Sequence, residues 1–144
     1  VSASRETIRT QLAGLIRQNV PSAAGVVEAE PNDLGSASPL VVVSVAGGGR
    51  PRLTFSGSKL AARLYVDIYV VLADEQSAYD AIEAAHMLDQ VECDIATVVD
   101  AHQRHGVGWE AVEWGDSTID TGIWSEDGIL RARERIPLTI TVFG

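Results

Sequence analysis

Between Arg63 and Leu72 the chain alternates without a break. Leu64, Val66, Ile68, Val70 and Leu72 fall on one side of an extended strand, and Tyr65, Asp67, Tyr69 and Val71 on the other. From about Glu75 to Gln103 the period changes to helical, and Ala81, Ala84, Leu88, Val91, Ile95 and Val98 recur every three or four residues along one stripe. A strand with one apolar face followed by a long helix with one apolar stripe leaves little choice of architecture: the stripe must cover the sheet.

The flanking segments fit that layer. Ile8, Leu12, Leu15 and Ile16 have helical spacing, with Ser4 placed to cap, Glu6 in the first turn and Pro21 beyond the end, so residues 5 to 19 are predicted helical. Val26-Val27 starts a short strand that the turn formers of Pro31 to Ser36 end. Leu40 to Ala46 is a β-branched strand, Gly47-Gly48-Gly49 a loop, and Leu53-Thr54-Phe55 resumes an extended pattern. After the long helix, Trp109 to Trp114, Thr118 to Trp124 and Arg135 to Phe143 read as strands, the last with Ile136, Leu138, Ile140 and Val142 on one face. Strands joined by short turns pair antiparallel, and helices and strands cluster separately. The expected fold is α+β: a mainly antiparallel sheet packed against one long helix and an N-terminal helix, in a single domain over residues 1–144.

Composition narrows function. The longest apolar runs, Leu40 to Val43 and Val70 to Ala73, are far below the ~20 residues of a membrane span, and the N-terminus lacks the pattern of a secretory signal. A net charge of −9 opposes binding to a phosphate backbone. The charge is also uneven: residues 1 to 73 carry seven basic and five acidic side chains, residues 74 to 144 four basic and fifteen acidic. The long helix alone holds Glu75, Asp80, Glu83, Asp89, Glu92, Asp94 and Asp100 with no basic residue before Arg104.

No motif points to bond chemistry. His102 and His105 sit at a helix end without a general base in zinc-protease spacing, and His86 fits a surface or interface position. Cys93 lies off the apolar stripe among Asp89, Asp94 and Asp100, a field that disfavours a thiolate. The Gly47 to Gly49 triplet lacks the spacing and Lys-Ser/Thr end of a phosphate loop, and Ser56-Gly57-Ser58 is no nucleophile elbow. No catalytic residue, metal or cofactor is expected.

The succession of the Arg5, Ile8, Leu12, Leu15 helix, the strand from Arg63 to Leu72, the long helix through Leu88-Asp89-Gln90-Val91-Glu92, the Trp109-Glu110 strand and the closing strand from Arg135 to Val142 resembles the tail terminator (tail completion) proteins of long-tailed bacteriophages. The resemblance spans nearly the whole chain and rests on layout rather than on a compact signature. It implies a structural virion protein, assembled in the host cytoplasm, that forms a homo-oligomeric ring, commonly a hexamer, at the head-proximal end of the tail. Such a ring contacts the tail tube protein and a neck or head-completion protein, and DNA passes through its lumen without specific binding.

A cyclic ring needs two different complementary patches per subunit. The basic loop carrying Arg50 and Arg52, the polar-aromatic strand face of Tyr65, Asp67 and Tyr69, and Trp124 before a turn are the expected contact residues, with the loop set against the acidic half of a neighbour. Rival readings are another phage neck or head-tail joining protein, a small ligand-binding α+β domain or enzyme using a pocket between sheet and helix, and an adaptor that forms no ring.

Overall fold

The structure, a computed structural model, describes residues 5–28, 38–46, 59–72, 78–101, 109–123 and 129–143. Two helices and six strands follow in the order α1 (Arg5–Asn19), β1 (Gly25–Val27), β2 (Leu40–Val45), β3 (Lys59–Val71), α2 (Ala78–Ala101), β4 (Trp109–Trp114), β5 (Thr118–Gly122) and β6 (Arg131–Phe143). The fold is α+β: one mixed sheet in the order β1-β2-β3-β6-β4, with β5 also on β6. All pairings are antiparallel except the short β1–β2 pair.

The core forms where the two periodicities meet. Even-numbered residues of β3 (Leu64, Val66, Ile68, Val70) and of β6 (Ala132, Ile136, Leu138, Ile140) join Val41 and Val43 of β2 under the helices. From α1 come Ile8, Leu12, Ala13 and Ile16, and from α2 Ala84, Leu88, Val91, Ile95 and Val99, all buried. The expected stripes are thus present with small changes. Leu15 and Val98 are only partly buried at the margin, while Ala13 and Val99 take full core positions. Ser22 Oγ donates to Asp94 of α2 at 2.6 Å, tying the end of the first helical segment to the second helix.

The strands are longer than their apolar alternation. β3 begins at Lys59 and β6 at Arg131, because the two pair residue for residue from Lys59↔Phe143 to Val71↔Arg131. Arg131, Arg133 and Glu134 hid the first part of β6: a charged run resembles a loop unless its pairing is known. Pro137 lies within this central strand, where a proline removes a ladder donor. The neighbouring chain answers by turning there. β4 covers the end of β6 from Leu138 and β5 its beginning up to Arg135, with Gly115, Asp116 and Ser117 between them. Gly115 donates its N–H to the Pro137 carbonyl at 2.8 Å. A Cβ on Gly115 would stand 3.2 Å from Pro137 Cβ and Cγ, so the close approach favours glycine.

Candidate assembly surface

The strand face expected to meet a neighbour is largely closed. Asp67 and Tyr69 are each 1% exposed, which corrects the reading of both as surface contacts. Tyr69 packs with Leu40 and Val42 in a small apolar cluster on the sheet face opposite the helices. Asp67 accepts two hydrogen bonds from Arg135, Nε to Oδ1 at 2.9 Å and Nη2 to Oδ2 at 3.0 Å. The same guanidinium stacks 4.3 Å from the centroid of the Tyr65 ring. Cross-strand register explains this: Asp67 lies directly opposite Arg135 and next to Tyr65 along one face. Alternation showed correctly that these side chains avoid the helices; it could not show that a partner on the adjacent strand, 68 residues on in sequence, would cover Asp67. Tyr65 is half-buried and lines a cavity of about 220 Å³ with Arg63, Pro137 and Thr139. Arg50, Arg52 and Trp124 lie outside the described residues, as do His102, His105 and the glycine triplet. His86 and Cys93 are exposed.

A different surface stands open. Residues 118 to 121 of β5 are all exposed, and Ile119 and Ile123 are 58% and 60% exposed, although isoleucine is among the residues most often buried. The ladder shows which backbone groups are free. Leu72 donates to the Leu130 carbonyl at 3.0 Å and Gly115 to that of Pro137 at 2.8 Å, so even-numbered residues of β6 turn their backbone groups to β3 and odd-numbered ones to the β4/β5 side. Arg131, Arg133 and Arg135 therefore bond to Gly122, Asp120 and Thr118, their register partners. Ile119 and Thr121 are left with N–H and C=O directed outward, and among the described residues β5 has β6 as its one ladder partner.

The side chains divide by face. Ile119 and Thr121, opposite Glu134 and Ala132, lie on the helix side; Thr118 and Asp120, opposite Arg135 and Arg133, lie on the other. Asp120 accepts from Arg133 Nη2 at 3.2 Å, yet its side chain keeps 56% exposure. Glu113 and Asp116 are exposed on the same ribbon, and from Trp109 to Gly128 the chain has no Lys or Arg. This edge is acidic and apolar at once.

The opposite edge is guarded. Arg17 of α1 donates from Nη2 to the Val26 carbonyl of β1 at 3.1 Å, and Thr10 Oγ1 lies 3.5 Å from Glu28 Oε2 just past that strand. A side chain that takes up an edge carbonyl hinders strand addition there. The Val26 carbonyl of β1 is thus occupied from α1, whereas among the described residues nothing pairs with the outer side of β5.

Between these layers sits one anomalous side chain. Glu134 is 1% exposed in a row otherwise made of Ala132, Ile136, Leu138 and Ile140, and its Oε1 has no hydrogen-bond partner. Its pKa is raised from 4.5 to about 7, first by burial, then by the hydrogen bond and charge of Glu92 and the charge of Asp89 on α2, with an opposing hydrogen bond from Ser117. No group of three or more His, Cys, Asp or Glu among the described residues is placed to hold a metal ion. No described helix is long and apolar enough to cross a membrane.

Neither the edge nor the buried Glu134 is legible in the sequence pattern. Side-chain alternation reports sheet faces, whereas an edge is a matter of unpaired backbone, so Ile119 and Ile123 in an otherwise polar strand could equally have belonged to a central one. No protein-family model matches the chain, and no characterised protein matches it.

Proposed function

We propose that this protein is an assembly subunit whose copies join head to tail into a ring, of the kind that ends a long phage tail at its head-proximal side. The observation that carries the reading is the unequal treatment of the two sheet edges. A subunit that leaves one acidic, isoleucine-bearing edge open while α1 occupies a carbonyl of the other presents a surface that cannot pair with its own equivalent on both sides, and heterologous contacts of that sort generate rings when the rotation closes. Like charge must be handled in any such ring, since every copy brings a formal −9. Setting the basic Arg50 and Arg52 loop of one subunit against the acidic ribbon of the next offsets part of it. An acidic lumen would repel DNA phosphates and let the genome pass without sticking.

The test is assembly. Arg50→Glu with Arg52→Glu leaves the circular dichroism spectrum unchanged and abolishes rings in native mass spectrometry and negative-stain images of the protein mixed with its tail tube. Rings formed equally by the double variant remove the loop from the interface. For the place in the virion, deleting the gene yields tails of uncontrolled length; tailless filled heads would assign the protein to the neck instead.

A further inference from the structure

We infer that the open edge of β5 receives, as an added strand, the Arg50–Phe55 segment of a second copy of this chain. The inference rests on the head-to-tail reading and names the two surfaces that would meet.

The edge sets three requirements. Its outward backbone groups at Ile119 and Thr121 call for an extended segment that can exchange main-chain hydrogen bonds. On the helix side Ile119 and Ile123, 58% and 60% exposed, call for apolar side chains. On the other side the 56% exposed Asp120 calls for a cation, and Asp116 adds acid just before the strand. A strand that satisfies all three must alternate apolar and basic residues with period two. The sequence Arg50-Pro51-Arg52-Leu53-Thr54-Phe55 does so: Arg50, Arg52 and Thr54 share one face, and Pro51, Leu53 and Phe55 the other. Pro51 stands at the start of the run, where a strand tolerates a residue with no donor.

Geometry requires that the donor be another molecule. The segment lies between Ala46, at the end of β2, and Lys59, at the start of β3. Four peptide steps hold Phe55 within about 14 Å of Lys59. β5 flanks the other end of the sheet, because it pairs with Arg131 to Arg135, whose partners on β3 are Val71 to Asp67. At the rise of a strand, the eight residues from Lys59 to Asp67 cover about 26 Å. The loop of one copy therefore cannot reach its own β5, whereas loop and edge at opposite ends of one sheet are the arrangement a head-to-tail contact needs.

The experiment uses the full chain carrying Arg50→Glu and Arg52→Glu, whose edge has no competing donor, and a synthetic peptide covering residues 48 to 58. Hydrogen exchange is followed with and without the peptide. Exchange at Ile119 and Thr121 is expected to slow at least tenfold at saturating peptide, while a peptide with both arginines replaced by glutamate gives no protection. A second arm reads the fluorescence anisotropy of the labelled peptide against the otherwise wild-type chain carrying Ile119→Lys, a change at an exposed position, and binding falls at least tenfold. Unchanged exchange at Ile119 and Thr121, protection confined to β1 or to the face of Tyr65, or equal binding by the peptide with both arginines replaced by glutamate overturns the inference. Rings that persist while the peptide fails would sink this pairing alone; a peptide that binds while no rings form with the tail tube would sink the ring and leave the strand contact standing.

Discussion

Replacing Glu134 by glutamine should make the protein more stable at alkaline pH and leave it nearly unchanged in acid. The carboxyl titrates near 7 in the folded chain and near 4.5 when unfolded, so between those values the folded state holds the extra proton. Stability is therefore highest at low pH and falls as pH rises through about 7, where the buried group must ionise beside Glu92 and Asp89. A displacement of that size corresponds to about 3 kcal/mol. Glu92 is only partly buried and Asp89 is exposed, so water screens part of the repulsion, and about 2 kcal/mol is expected at pH 8. Glutamine keeps the shape and can still donate to Glu92. Urea unfolding followed by circular dichroism at pH 5, 6, 7 and 8 measures this directly, because all other titrations are common to both proteins. The difference should grow from about 0.8 kcal/mol at pH 5 to about 2 kcal/mol at pH 8, with the denaturant slope unchanged. Parallel curves, separated by the same amount at every pH, would refute the argument that this carboxyl is protonated in the folded protein.

Two further substitutions probe what holds the layers. Arg135→Met leaves the buried Asp67 carboxylate without its two hydrogen bonds, and because the guanidinium is partly exposed a loss of about 3 kcal/mol is expected in urea unfolding. Leu88→Ala empties a fully packed site between α2 and the sheet and should cost about 2–5 kcal/mol, read as a lowered melting temperature.

The elements that sequence made legible are those whose signal is periodic burial. α1 was bounded correctly, and α2 to within two or three residues, because a helix must bury one stripe and its stripe recurs whatever the neighbours are. β3 was equally plain from Leu64 to Val70. The beginning of β6 was not, since Arg131 and Glu134 are buried by pairings that only the three-dimensional register creates. Asp67 was misjudged for the same reason. Its polar character correctly excluded the helix-covered core, yet burial of an ion pair depends on a partner 68 residues away. Sequence periodicity reports which side of an element is apolar; it carries no information on what lies across from the polar side.

The open edge follows from a local rule with a distant consequence. Pro137 cannot donate to the strand outside it, so the chain that covers β6 breaks into β4 and β5 around Gly115. Had one uninterrupted strand covered all of β6, its residues opposite Arg131 to Arg135 would still have been at the edge, but continuous with the core-packed Val112 and Trp114. The break instead sets off a short exposed strand with isoleucines on one face and acid on the other. Such an edge carries a risk of indiscriminate strand addition, which proteins usually limit with lysine, proline or a covering element. Here β1 has its Val26 carbonyl occupied by Arg17 of α1, and β5 has acid on one face and exposed isoleucine on the other. Acid repels like copies of itself and admits a basic strand, so the same residues that discourage two β5 edges from pairing favour the basic segment that the proposed contact would use.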